Sequence, residues 1–561
     1  MESEAVAEAG PREPATARLT RNFLIIALAL LLVKLLLVSR REILTDQYDA
    51  EAYVSASLDD LRSVFGGDQF HPPGASLVMA LARLLGIPYR IFIEIFLAAA
   101  AFFFFRPLVV WTRLGTTGVT LLYALLLFHP VLVLEMDRAM SDTVSVLFWL
   151  AGAGGILGFV AAPREKFPWF SFGLAIVSFG FAGITRSGEG AIVFVEMVAV
   201  ASLAILLFRG ADRWRRRRAI VACLCAGLAN LAATQTLSAG HFVNSGYWGV
   251  TAVESREWGQ LYSALLSLPV QRSDRYSLVN KATMDMAESF SEDLRGMNPC
   301  FQEIESKHQI EDMPNYGVQW AIVSCLPGEE SAKNYAKMRT ISSDIVNGAR
   351  EHNIQLSNPI FGVIPRPIAQ WLPFFPSSVA QVAFAAIRIP DSTRAAQGSG
   401  DDELFNRALL RRAALVSVGE NPDVDGYQWL IRPLYRVLAA LFWPSVALAC
   451  LVVMAIVIRS AGTAAKSRLP TFFLFFMIID VLCRVSFYSV VNWILWDIPP
   501  RYVLGASVLS VVVVATLLTV WLAPAAGSAL RPVLLRLPRR SRWTQKGDYS
   551  DPSSLTVKRP H

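Results

Sequence analysis

Apolar residues along this chain fall in long runs separated by short polar turns. Ten runs approach the length of a bilayer crossing, at about 22–39, 89–110, 117–134, 142–161, 169–185, 190–208, 219–239, 434–458, 470–491 and 503–523. A hydrocarbon core of about 30 Å takes roughly 20 helical residues, so each run predicts one transmembrane helix. The first is short and carries Lys34 near its end, where a long cationic side chain can snorkel to the interface. No small-residue cleavage site follows it, which predicts an uncleaved first span. Between the seventh and eighth runs lies a long polar stretch with signals of its own. Trp258, Leu261, Leu265 and Leu268 form one helical stripe, "SSVAQVAFAAIRIP" predicts a further helix at the membrane surface, and "DSTRAAQGSGDDE" has the composition of a linker.

Composition agrees with a membrane protein. Of the 561 residues 54% are hydrophobic and 17% charged, against about one quarter charged in soluble domains. The net charge of +7 builds no continuous basic face, and RNA-binding aromatic signatures and Cys/His zinc spacings are absent, so a nucleic-acid partner is not expected. Positive charge instead sets sidedness. "RGADRWRRRR", Arg106/Arg113, Arg164/Lys166, Arg459/Lys466/Arg468 and "RPVLLRLPRRSRWTQK" all fall on one side if there are ten spans. The expected fold is therefore an all-α polytopic membrane protein of about 10 transmembrane helices, with both termini cytoplasmic. A mainly helical extracytoplasmic domain is inserted before the last three spans. Its parts are a cytoplasmic tail (1–21), a transmembrane module (22–239) with an acidic first outer loop (40–75), the extracytoplasmic domain (240–432), a three-helix segment (433–523) and a basic cytoplasmic tail (524–561).

That topology gathers polar residues at the outer ends of the even-numbered spans. The first loop holds Asp46, Asp49 and Glu51, then His71 in "FHPPGASLVMA". The third-to-fourth turn holds Glu135, Asp137, Arg138 and Asp142, the fifth-to-sixth Arg186 and Glu189, and the ninth-to-tenth Asp497, Arg501 and Tyr502. Carboxylates and arginines at the rim of an apolar bundle suit an amphiphilic donor whose tail stays in lipid. Arginines hold its phosphate through charge-assisted hydrogen bonds. A carboxylate that deprotonates an incoming hydroxyl contributes about 10²- to 10⁴-fold. Structural alternatives stand beside each role. His71 ahead of Pro72 and Pro73 suits a helix start as well as acceptor or phosphate binding. Ser141 suits a cap and Asp142 a helix-dipole charge, Arg138 a pair with Glu135 or Asp142, and Arg186 a pair with Glu189. Only one of Asp49 and Glu51, two positions apart, can face a site.

The chain resembles the GT-C glycosyltransferases, the polytopic enzymes that use polyprenyl-phosphate sugars, in the branch of protein O-mannosyltransferases and the lipid A aminoarabinose transferase. The resemblance lies in "YDAEAY", "FHPPGASLVMALARLLG", "MSDTVSVLFW", "ITRSGEGA" and "PPRYVLG", and covers about the first 210 residues and the Arg501 region. It implies a GT-C-like fold and an inverting hexosyl- or pentosyltransferase of the cytoplasmic (inner) membrane. The sugar passes from a polyprenyl phosphate to a cell-envelope glycan, lipid or protein. The base would be Asp49, with Glu51 and Asp46 as competitors; Arg186 and Arg501 would clamp phosphate. Asp142 would orient substrate, and His71, Arg138 and Tyr502 complete the expected binding set. Asp49 and Glu51 are separated by Ala50, where the family often has an adjacent acidic pair, and the soluble part precedes the last three spans, where many relatives carry it at the C-terminus.

Other classes remain open in the sequence. Asp480 and Arg484, four apart in the ninth run, predict a structural ion pair, and a proton relay there, with Glu196, would suit a secondary transporter or an exporter of lipid-linked substrates. A non-catalytic relative that binds a partner through its outer domain is a third reading. The first-loop acids could hold Mg²⁺ or Mn²⁺ through oxygen ligands, although no dedicated site is legible. Cys300 and Cys325 share the polar stretch and could pair if it faces an oxidising compartment.

Overall fold

A computed structural model describes residues 15–38, 48–58, 71–111, 115–136, 140–186, 188–208, 213–251, 254–272, 277–308, 315–326, 331–359, 372–387 and 469–494. Every regular element among them is helical. The first part comprises α1 (Ala15–Val38), α2 (Tyr48–Leu58), α3 (Gly74–Leu84), α4 (Tyr89–Trp111), α5 (Gly115–Leu127), α6 (Pro130–Glu135), α7 (Ser141–Ala161), α8 (Trp169–Gly183), α9 (Glu189–Leu207) and α10 (Arg213–Ser245). Six polar-segment helices follow: α11 (Arg256–Ser267), α12 (Lys281–Phe290), α13 (Glu292–Gly296), α14 (Asn298–His308), α15 (Asn315–Cys325) and α16 (Ser331–Glu351). The last two are α17 (Phe375–Ile387) and α18 (Leu469–Ile494).

Among the described residues six helices are long and apolar enough to cross a membrane: Ala17–Val38, Tyr89–Val109, Ser141–Ala161, Glu189–Leu207, Arg213–Asn244 and Phe472–Val491. The chain is thus an all-α protein built on membrane-length helices. Two expected spans come out shorter. The run 117–134 is broken at His129, because Pro130 has no N–H to continue the ladder and instead opens α6. The run 169–185 yields the 15-residue α8, only about 22 Å long. The expected spans 434–458 and 503–523, and the linker around 391–403, lie outside the described residues.

At the centre of the bundle stands α7, buried on almost every side. Its "AGAGG" stretch makes this possible. A Cβ at Gly154 would lie 2.6 Å from the backbone of Phe104 in α4, and one at Gly155 2.5 Å from that of Ala175 in α8. Backbones approach closely where side chains are absent. Phe104, Trp149, Phe473 and Phe476 fill the space between α4, α7 and α18. Outside, Ile25, Leu28, Leu32 and Leu36 form an exposed apolar stripe along α1, suited to lipid contact.

One basic residue organises the opposite end of α7. The Arg218 guanidinium donates to the carbonyls of Phe159, Ala162, Pro163, Arg164 and Lys166, and lies 4.9 Å from the Trp214 ring. It satisfies carbonyls left open where α7 ends.

The polar segment has a hydrophobic core of its own. Trp258, Leu261, Leu265 and Leu268 are buried as their spacing predicts, against Met338, Ile341 and Ile345 of α16. Cys300 and Cys325 form a disulfide between α14 and α15. The stretch 375–387 is helical as expected, and α17 packs on α18 through Val382 and Tyr488.

Candidate functional site

The site is built from three local decisions of the chain. The first is the docking of α2 along α3. Tyr53 is buried, and its ring meets the His71 imidazole edge-on at 5.0 Å. Ser76 Oγ donates to the Tyr53 carbonyl at 3.0 Å, and Arg83 Nη1 to the Leu58 carbonyl at 3.1 Å, where α2 ends. His71 therefore has a definite packing duty at the mouth of α3.

The second is the start of α3. Pro72 and Pro73 occupy positions that have no helical hydrogen bond to lose, and Pro73 is the N-cap. Gly74 follows because nothing larger fits: its N–H donates to the Ile184 carbonyl at 2.8 Å, and a Cβ would sit 2.6 Å from Thr185 Cα. The "HPPG" start is thereby pinned to the turn between α8 and α9, which carries Arg186.

The third is that turn itself. Arg186 is buried, with Nη1 2.9 Å from Asp142 Oδ1 at the start of α7 and the guanidinium 4.8 Å from the Tyr488 ring of α18. Gly188 then takes φ +79, a left-handed conformation that glycine adopts without strain. Its N–H donates to Glu254 Oε1 at 3.0 Å, joining the turn to the polar segment. Although the Glu254 side chain as a whole is exposed, protein crowding its carboxylate desolvates it and raises its pKa, partly offset by the Gly188 and Val250 N–H groups.

Two further charged groups lie in the bundle. Arg484 places Nη1 and Nη2 on Glu189 at 3.1 and 2.5 Å, and Nε on Asp480 Oδ1 at 2.9 Å. The i, i+4 pair expected of Asp480 and Arg484 is present, with Glu189 as an added partner. Lys34 and Arg90 each lie 2.8 Å from a Glu94 oxygen, and Lys34 also donates to the Leu127 carbonyl.

Several expectations are corrected. Lys34 does not snorkel: its side chain is 1% exposed and tied to Glu94, because α4 and α5 close over it. Arg186 pairs with Asp142, while Glu189 turns to Arg484. Ser141 is not a cap; Met140 occupies that position with no side-chain hydrogen bond, and Asp142 serves as a partner to Arg186.

Of the expected site residues, Asp142 and Arg186 are in contact, and His71 stands at the start of α3, whose Gly74 is bonded to the turn that carries Arg186. Asp49 and Glu51 ride on α2, but their side chains lie outside the described residues, as do Asp46, Arg138, Arg501 and Tyr502. Among the described residues no three His, Cys, Asp or Glu side chains are grouped to hold a metal ion. Sequence reasoning missed Tyr488, Glu254 and the Lys34–Glu94–Arg90 group. Only the i, i+4 spacing of Arg90 and Glu94 signalled any of them. The arrangement can hold a cation, Arg186, in fixed orientation at a turn bonded to α3, the helix on which α2 and its two acids dock. Comparison of the chain with protein-family models, curated proteins and solved structures found no match.

Proposed function

We propose that the chain is a GT-C-like inverting glycosyltransferase with about ten spans and both termini cytoplasmic. It moves a sugar from a polyprenyl phosphate to a hydroxyl of a cell-envelope acceptor on the outer face of the membrane. The observation that carries this reading is a convergence. The α2 helix bearing Asp49 and Glu51 docks on α3, and α3 is bonded through Gly74 to the turn holding Arg186, itself oriented by Asp142 at 2.9 Å. The disulfide between Cys300 and Cys325 favours an oxidising compartment for the polar segment, in keeping with an outward-facing domain.

In this reading Asp49 takes the proton of the acceptor hydroxyl. The oxygen attacks the anomeric carbon from the face opposite the phosphate, and the carbon–oxygen bond to phosphate breaks. The electron pair leaves with the polyprenyl phosphate, whose added charge is met by Arg186 and Arg501. Phosphate leaves as a stabilised anion, so one carboxylate suffices where a glycoside hydrolase needs two.

The test is turnover of the purified protein against a panel of polyprenyl-phosphate sugars. Transfer by wild type, its loss in Asp49→Asn with unchanged membrane insertion, and weaker lipid-phosphate binding in Arg186→Ala are expected. No transfer with any donor, or full activity in both variants, rejects the reading. A secondary transporter is the second reading, favoured by the buried Glu189–Arg484–Asp480 group. Protonophore-sensitive flux in vesicles without sugar transfer would select it.

A further inference from the structure

One face of α10 changes character along its length. Arg213, Arg217, Val221, Leu224, Leu228 and Leu231 are all exposed and follow one another at intervals of three or four, so they lie on a single face. Two arginines open that face, and four apolar side chains, each at least 44% exposed, continue it. From Val221 to Leu231 the apolar part runs about 15 Å, half of a hydrocarbon core of about 30 Å.

Arg218 joins this face to the turn between α7 and α8. Its Nη2 donates to the carbonyls of Arg164 and Lys166 at 3.3 and 2.7 Å, which holds these two exposed cations beside the start of α10. The exposed rings of Phe167 and Trp169 follow directly, 4.1 Å apart. Aromatic side chains of this kind sit at the headgroup level of a bilayer. The basic excess is a property of the sequence itself: positions 162–168 and 208–218 together hold eight Lys and Arg against Glu165 and Asp212. Cations attract any anion and an apolar face takes any tail, but only an amphiphile with an anionic head meets both in this order. Guanidinium groups one helical turn apart can hold a phosphate through charge-assisted hydrogen bonds. A lipid of net negative charge gains more from such a cluster than a zwitterionic one.

We propose that this face of α10 seats an anionic phospholipid, its phosphate held by Arg213 and Arg217 and one acyl chain laid along Val221, Leu224, Leu228 and Leu231. Arg164 and Lys166 strengthen the attracting field, and the Phe167–Trp169 pair sets the depth of the site in the bilayer. The seat lies at the end of α7 opposite Asp142 and Arg186. It is independent of the transfer reaction proposed above, and its test needs no sugar donor.

Native mass spectrometry of the full chain, released from detergent with phosphatidylglycerol and phosphatidylcholine of the same acyl chains, counts the lipids retained. Wild type should retain phosphatidylglycerol in preference. Arg217→Gln should weaken that binding about fivefold, and Arg213→Gln combined with Arg217→Gln about thirtyfold, the worth of one surface cation each. Arg216→Gln removes the same charge about 100° around the helix and should cost much less. Both face arginines are exposed, so the lipid-free double variant should melt with wild type. A lowered melting temperature would give them a structural duty and overturn the proposal. Equal weakening by Arg216→Gln and Arg217→Gln would assign the attraction to diffuse charge, and equal retention of the two lipids would remove the preference; either overturns it. So does displacement of phosphatidylglycerol by glycerol phosphate, since the head would then suffice without a tail.

Discussion

Arg186 shows what a buried guanidinium needs: an opposite charge, a flat apolar surface and a fixed backbone, supplied here by Asp142, Tyr488 and the turn at Gly188. Removing one partner of such a pair leaves the other charge uncompensated, at about 3–5 kcal/mol. Asp142→Ala should therefore lower the melting temperature sharply, with Asp142→Asn intermediate because an amide oxygen still accepts. Equal melting curves for all three proteins would show that the pair has no structural weight. Gly74 is the second sensitive position. Gly74→Ala puts a methyl group 2.6 Å from Thr185 backbone, which cannot swing aside as a side chain can. Overpacking of this kind costs about 1–3 kcal/mol, and the shift should carry the Arg186 turn with it. Loss of stability in a thermal scan is the expected result, joined, on the proposed function, by weaker lipid-phosphate binding.

At the scale of elements, the α8–α9 turn is tied to the polar segment through Glu254. Its raised pKa means that the folded state binds this proton more tightly than the unfolded chain does. The contribution to stability is thus greatest at low pH and is lost as pH rises from the ordinary glutamate range through the raised value. Glu254→Gln keeps an acceptor for Gly188 and removes the titration. It should flatten that limb of a stability–pH curve, whereas Glu254→Ala should lower the whole curve. Much of the element plan was legible in the sequence: the apolar runs that fall within the described residues, the proline-opened α3, the stripe of α11 and the Asp480–Arg484 spacing appear as helices and contacts. The break at His129 was signalled by Pro130 but outweighed by hydropathy. The second partner of Arg484 was not legible, because Glu189 lies 295 positions away and only packing of α9 on α18 joins them. Lys34 and Glu94 were hidden for the same reason, since a cation in a short first run reads as an interfacial anchor until α4 covers it.

At the scale of the whole molecule, a membrane bundle and a polar helical segment hold separate hydrophobic cores. The disulfide closes a loop between positions 25 apart, which in the chain-entropy view stabilises the polar segment by about 3.5 kcal/mol. Cys300→Ser and Cys325→Ser should each lower the melting transition of that segment and leave the bundle transition in place. A single unchanged transition in both variants would count against two separate cores. Arg218 has a consequence of another kind. By gathering five carbonyls it leaves the turn that holds Arg164 and Lys166 little freedom to enter a protease cleft, although both are trypsin targets. Limited trypsinolysis of the native protein should spare that turn, and Arg218→Ala should convert it into an early cleavage site.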